Sequence, residues 1–342
     1  SATFDVNVED GNEDSSTPTD STFTFTIVDQ NDPPVLTGDL AADINEGGTY
    51  DLTTSDLFYT DSDDDNAGVT FTVSNLDSAL TLTVNGISQS TFTGTQLNAG
   101  QVRFTHSGIE DDSATFDVNV EDGNEDSSTP TDSTFTFTIV DQNDAPVVSD
   151  AGATLAYTEG DGAVVIDSTL TITDADDTNI ESATVTISSG YQSSEDVLAF
   201  SDANGITGSW DSGTGVLSLS GSATLANYEL AFESITYQNT NTDDPNNGDR
   251  TVTWVVNDGD TNSVGVTSTI TVADANDAPV VSDAGATLAY AEGDGAVVID
   301  GSLTITDVDD TNIESATVTI SSGFESSEDV LAFSNANGIT GS

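Results

Sequence analysis

The segment Thr22-Phe23-Thr24-Phe25-Thr26-Ile27-Val28-Asp29-Gln30-Asn31-Asp32-Pro33-Pro34 decides how the whole chain is read. Its first half alternates with a period of two, which places Phe23, Phe25 and Ile27 on one face of a strand and the threonines on the other. Its second half sets two carboxylates and an amide within four residues and closes on proline, which fixes the backbone and ends the strand. The same joint returns as Asp141-Gln142-Asn143-Asp144-Ala145-Pro146 and as Asp274-Ala275-Asn276-Asp277-Ala278-Pro279, each after an alternating run and before a new apolar start. Strand, acidic joint and fresh strand, in that order three times, spell a string of domains.

Internal repetition sets their limits. Residues 1–32 are identical to 113–144, and 143–209 match 276–342 with few substitutions, among them Tyr191 to Phe324 and Asp202 to Asn335. The repeats predict the back of a first-type unit (1–32), a complete first-type unit (33–144), a complete second-type unit (145–277) and the front of another (278–342). Half-units, and a start at Ser1 in a chain with no methionine, predict a slice of a longer array, or halves completed by another chain.

Alternation continues at Phe4, Val6 and Val8, at Val69, Phe71 and Val73, and at Leu80, Leu82 and Val84 before an Asn85-Gly86 hairpin turn. In the second unit it marks Ala183, Val185 and Ile187, then Leu217 and Leu219, Leu230 and Phe232, Val252, Trp254 and Val256, and Ile270 and Val272. Thr95 to Gly100 reads as a single helical turn, and Ser222 to Tyr228 fits strand or helix equally. The expected fold is all-β: tandem antiparallel, immunoglobulin-like β-sandwiches in an elongated array.

Charge narrows the function. The 342 residues hold 61 Asp plus Glu against two basic residues, Arg103 and Arg250, for a net charge of −59. Such a chain repels polyanions, so neither nucleic acid nor an anionic membrane surface is an expected partner; cations are. An acidic, lysine-free surface also suits high salt. Cysteine is absent, which excludes disulfides and thiol chemistry. No apolar run is long enough for a membrane-spanning helix.

The acids cluster in three kinds of place. Besides the joints, they fill Asp61-Ser62-Asp63-Asp64-Asp65, Asp174-Ala175-Asp176-Asp177 and Asp307-Val308-Asp309-Asp310, and the loops Glu121-Asp122-Gly123 and Asn257-Asp258-Gly259. Acidic loops converging on one joint repel by several kcal/mol in total unless cations sit among them. Oxygen donors of this kind select a hard ion such as calcium. The run from Asp61 to Gly68 is not an EF-hand loop, since glycine falls at its eighth position and Thr72 stands where a bidentate Glu is needed.

Together these motifs resemble those of cadherin domains: the Asp-Gln-Asn-Asp linker, the Asp-Ala-Asp-Asp loop, the Asp-Gly after an apolar strand, and a Glu-Gly near the start of each unit (Glu46, Glu159, Glu292). Gln101-Val102-Arg103-Phe104-Thr105-His106, with the Asp-Gly loop that follows, is similar to the cadherin-like repeats of chondroitin sulfate proteoglycans, and such repeats fill giant bacterial surface adhesins. The resemblance implies calcium ligands at each joint. For the first these are Asp29, Asn31 and Asp32, with Asp61, Asp63 and Asp122 from the following unit. For the second they are Asp141, Asn143 and Asp144, with Glu46 behind and Asp174, Asp176 and Asp258 ahead. For the third they are Asp274, Asn276 and Asp277, with Glu159 behind and Asp307 and Asp309 ahead. The cadherin Asp-Arg-Glu motif, which supplies two ligands from the preceding domain, is missing from both complete units, implying fewer or weaker ions.

The expected function is therefore structural, without catalysis: calcium-rigidified extender repeats of a large secreted or cell-surface adhesin-type protein, whose partners are adjacent repeats. A self-assembling extracellular fibre joining copies through their half-units is the alternative, and a carbohydrate-binding module a further one. His106 stands alone as a histidine and is expected to be a strand-end residue. Both arginines are expected to pair with nearby acids, Trp254 to be core, and Trp210, in a Gly-Ser-rich turn, to be the better sugar-stacking candidate.

Overall fold

The computed structural model describes residues 1–9, 11, 19–28, 30–62, 64–123 and 129–342. The chain divides into two compact units, Ser1–Gln142 and Asn143–Ser342.

In the first unit the alternating runs form a two-sheet sandwich. One sheet has the strand order Thr91–Thr93, Thr70–Ser74, Ser113–Glu121, Ser133–Val140, Ala41–Asn45; the other runs Thr49–Asp51, Val102–His106, Leu80–Val84, Ile87–Ser88. The period of two turns Phe71, Phe116, Phe135 and Phe137 inward from the first sheet and Phe104 from the second, and all five are buried. Phe104 stacks on Phe116 with ring centroids 4.6 Å apart, and Phe116 on Phe135 at 4.9 Å. Each buried ring contributes about 1.5–3 kcal/mol of transfer free energy, so this aromatic layer dominates the core. Asn85 and Gly86 make the expected turn with φ of 53° and 76°. The expected helical turn is Gly94–Asn98, where Thr93 and Gln96 cap one another reciprocally.

Residues 1–28 repeat the sequence of 113–140, and Ala2–Val6 pairs with Ser21–Phe25 in the same register, Phe4 opposite Phe23 as Phe116 is opposite Phe135. Yet Phe4 is 46% exposed where Phe116 is 1%, because among the described residues no second sheet covers the hairpin of Ala2–Val6 and Ser21–Phe25. Local pattern makes the hairpin, and the facing sheet makes the core.

The second unit contains a larger sandwich. Its main sheet has the order Thr154–Thr158, Val266–Ala273, Gly248–Asn257, Asn179–Ser189, Val216–Thr224, Thr207–Asp211, faced by Val164–Val165, Thr236–Asn239 and Asp196–Ala199. Trp254 is fully buried at its centre, with its Nε1–H donating to Ser268 Oγ at 3.0 Å. Two local readings change. Leu225–Glu233 is a helix N-capped by Thr224, and its buried face is Tyr228, Ala231 and Phe232, so the apparent strand alternation of Leu230 and Phe232 is coincidental and Leu230 is exposed. Trp210 lies in the strand Thr207–Asp211, half-buried and edge-on to Tyr191, and so is packed rather than presented at a turn. Beyond this sandwich, Val280–Ser282 pairs with Thr304–Thr306 in the register of Val147–Ser149 with Thr171–Thr173.

The expected pairing with acids holds for both arginines. Arg103 donates to exposed Asp51 through Nε and Nη2, at 2.6 and 2.8 Å. Arg250 is buried against the equally buried Asp196, with Nε 3.2 Å from Oδ2.

Candidate metal centre

Chain direction builds the site. Although most strands are antiparallel, Ala41–Asn45 runs parallel to Ser133–Val140, with Asn45 opposite Val140. Both strands therefore end together, and the next residues, Glu46 and Asp141, leave the sheet side by side. Glu46 N–H donates to Val140 O at 2.9 Å, and the Glu46 carboxylate accepts from Gln142 N–H at 3.4 Å. The second sandwich repeats the device. Thr158 lies opposite Ala273, Glu159 N–H donates to Ala273 O at 2.9 Å, and Glu159 Oε2 accepts from Ala275 N–H at 3.2 Å.

A third acid, which the sequence motifs had not named, joins the first pair. Oxygens of Glu46, Glu110 and Asp141 lie within 4.8 Å of one another, Glu110 coming from the loop after Val102–His106. The corresponding loop of the second sandwich, after Thr236–Asn239, brings the charge of Asp243 to bear on Asp277. Neither repeat carries an Asp-Arg-Glu motif, and Glu110 and Asp243 are the acids that these loops bring to the strand exits. The available signal was position: each stands four residues after the buried polar end of a strand, His106 or Asn239.

The Asp-x-Asp loops are shaped by their own first aspartate. Asp174 Oδ1 accepts the N–H of Asp176 at 3.3 Å and of Asp177 at 3.1 Å; Asp307 Oδ1 takes Asp309 and Asp310 at 3.1 and 2.9 Å; Asp61 Oδ1 takes Asp64 at 2.8 Å. One oxygen is thereby spent on the turn. The Asp-Gly loop of the second sandwich behaves alike: Asp258 Oδ1 accepts Asp260 and Thr261 N–H at 2.7 and 2.6 Å, and Oδ2 accepts Asn143 Nδ2–H at 3.2 Å. At the first joint Asn31 donates likewise to Asp122 Oδ2 at 2.6 Å, and Ser62 Oγ–H to Asp32 at 3.1 Å. In both places the joint asparagine spends its amide N–H on the Asp-Gly aspartate.

Linker backbone closes the remaining contacts. Asp144 N–H donates to Asp176 Oδ2 at 3.1 Å, and Asp277 N–H donates to Asp309 Oδ2. Asp176 Oδ1, Asp174 Oδ2, Asp277 Oδ2 and Asp309 Oδ1 are then buried with no hydrogen-bond partner. Burial first, and the adjacent Asp176 carboxylate second, push the Asp174 carboxyl above its ordinary pKa. Asp277 is pushed up by burial, then by Asp309, Asp243 and Asp274. Glu159 is raised by burial, with the Ala275 amide opposing and Asp274 adding to the rise. Asp258 goes the other way, since the Thr261 and Asp260 amides and Asn143 outweigh its burial.

Within the second unit, then, the structure gathers Glu159, Asp274, Asn276, Asp277, Asp307 and Asp309 at one joint, and Asn143, Asp144, Asp174, Asp176 and Asp258 at one end of the sandwich. Within the first unit it gathers Asn31, Asp32, Asp61 and Asp122 at one end and Glu46 with Asp141 at the other. Asp29 and Asp63 lie outside the described residues. The donor set is oxygen throughout, and four stranded carboxylate oxygens each lack a positive partner. These residues fit a hard divalent cation such as calcium.

Residues 33–140 match the model of the cadherin-like family. Halomucin of Haloquadratum walsbyi is 33% identical over 234 residues, 66% of this chain but 2% of that protein's length. Among solved structures, protocadherin gammaB7 EC3-6, in a cis-dimer structure, aligns over 90% of this chain and 66% of its own at 15% identity, with a TM-score of 0.41. Mouse cadherin-23 EC22-24 aligns over 73% and 69% at 17% identity, with a TM-score of 0.37.

Proposed function

We propose that this chain, in which residues 33–140 form a cadherin-like domain, is an extender segment of a large secreted or cell-surface protein, stiffened by calcium at its joints. The observation that carries the reading is the set of buried carboxylate oxygens with no partner at Asp174, Asp176, Asp277 and Asp309. Like charges buried together are unfavourable without a counterion, and here the backbone amides of Asp144 and Asp277 hold them in place. Bound calcium would supply the missing positive charge. At the third joint, Glu159 and Asp243 would offer oxygens from the preceding sandwich, Asp274, Asn276 and Asp277 from the linker, and Asp307 and Asp309 from the following repeat. A cation held by all three segments restricts the linker. The role is mechanical, and its partners are neighbouring repeats.

Small-angle scattering and thermal melting of the full 342-residue chain, with calcium and with chelator, test the reading. Calcium should raise the melting midpoint by mass action and narrow the distribution of interatomic distances. An unchanged midpoint and distance distribution would sink the proposal.

A further inference from the structure

The loops that carry Glu46 and Glu110 meet at one buried side chain. His106 is 2% exposed, and its Nδ1 accepts the N–H of Gly47 and the N–H of Gly108, each at 3.3 Å. An imidazole nitrogen that accepts two amides carries no proton of its own. Gly47 and Gly108 adopt φ of 59° and 80°, and a Cβ built on Gly108 would lie 3.6 Å from Gly47 Cα, so the loops touch glycine to glycine at the ring. Glu46 precedes one of these glycines by one residue, and Glu110 follows the other by two.

The second sandwich has part of this arrangement in different chemistry. Asn239, also buried, ends the strand Thr236–Asn239, and its Oδ1 accepts the N–H of Asn241 at 2.9 Å, two residues on, as His106 takes that of Gly108. Asp243 stands four residues beyond Asn239, as Glu110 stands four beyond His106. Two repeat types with different sequences thus place a buried acceptor at the same strand end, under the same acid-bearing loop.

We propose that His106 is a positioning residue for cation binding by Glu46, Glu110 and Asp141, and that Asn239 does the same for Asp243. The inference rests on the calcium reading. Without the Nδ1 acceptor, two amides lose their partner, the glycine contact opens, and the carboxylates of Glu46 and Glu110 no longer converge. Loss of an outer-shell partner that orients ligands weakens metal binding about 10- to 100-fold.

The test is calorimetric titration of the full chain with calcium in four forms: wild type, Glu110→Gln, His106→Phe and His106→Asn. Glu110→Gln identifies the part of the isotherm that belongs to this cluster. His106→Phe keeps a ring but removes the acceptor, and should weaken that part about tenfold or more while the other sites stay unchanged; His106→Asn, the second repeat's own choice, should return to within roughly threefold of wild type. A wild-type isotherm from His106→Phe, or no recovery in His106→Asn, overturns the positioning role and leaves the calcium reading standing. A wild-type chain that takes up no calcium overturns both. Should His106→Phe fail to fold, Asn239→Leu, with folding followed by tryptophan fluorescence, puts the same question to the sites that Asp243→Asn alters: weakening supports the role, and unchanged binding overturns it.

Discussion

Replacing Arg250 by methionine should unfold the second sandwich at a much lower temperature. Arg250 is 1% exposed; its Nε and Nη2 donate to Asp196 at 3.2–3.3 Å and its Nη1 donates to Gly248 O at 2.8 Å. Asp196 is equally buried, and without Arg250 it retains the Tyr237 hydroxyl at 2.6 Å and Gln192 N–H at 2.7 Å, but no positive charge. Stranding one member of a buried ion pair costs about 3–5 kcal/mol. With an unfolding entropy of about 2.1 cal/mol/K per residue over a repeat of about 130 residues, that loss lowers the midpoint by about 11–18 °C. Both tryptophans, Trp210 and Trp254, belong to this sandwich, so a fluorescence melt of the full chain in chelator reads it selectively. Adding Asp196→Leu to Arg250→Met should raise the midpoint above that of Arg250→Met alone, because the stranded charge is gone. A drop of less than about 4 °C in Arg250→Met, equivalent to about 1 kcal/mol, would refute the reasoning: Asp196 would then have found water or a proton.

Other outcomes follow from the same geometry. Asp309→Asn removes the carboxylate that chiefly opposes ionisation of Asp277 after burial; it should raise the melting midpoint in chelator and reduce the gain on adding calcium, both readable by calorimetry. Glu159, Asp174, Asp177 and Asp277 are all held above their ordinary pKa by burial and then, on balance, by neighbouring acids, so in chelator the native chain binds more protons than the unfolded one just above the ordinary carboxylate range. Stability from these groups therefore rises as pH falls from neutrality to just above the ordinary carboxylate range, and is lost again as pH climbs; with calcium present the trend should reverse, since protons compete with the metal for the same oxygens. Melting at the two pH values with and without calcium checks both signs. Phe116→Ala should cost about 3–5 kcal/mol by denaturant unfolding of the chain, whereas Phe4→Ala, at the identical sequence position in the uncovered hairpin, should cost less than about 1 kcal/mol.

The sandwiches were legible because alternation is a local signal: Val69, Phe71 and Val73, or Val252, Trp254 and Val256, name their inner face without reference to anything distant. The helix at Leu225–Glu233 escaped because Leu230 and Phe232 imitate a strand, while the decisive spacing of Tyr228, Ala231 and Phe232 needs the Thr224 cap to be recognised. The joints were legible as motifs, but a motif shows which acids recur and not which end of a sandwich they occupy. That is set by the direction of one edge strand. Because Ala41–Asn45 lies parallel to Ser133–Val140, a glutamate near the start of a repeat is delivered to its exit, next to a joint almost a hundred residues later in the chain. Glu110 and Asp243 escaped for a related reason, since their loops belong to no acidic run that repeats between the two types; what repeats is the buried acceptor four residues earlier. Different acids, each four residues past a buried acceptor that is a histidine in one repeat and an asparagine in the other, are what selection on a position in space would leave behind. A cation that needs oxygens at fixed places, and is indifferent to which side chain supplies them, provides such a requirement.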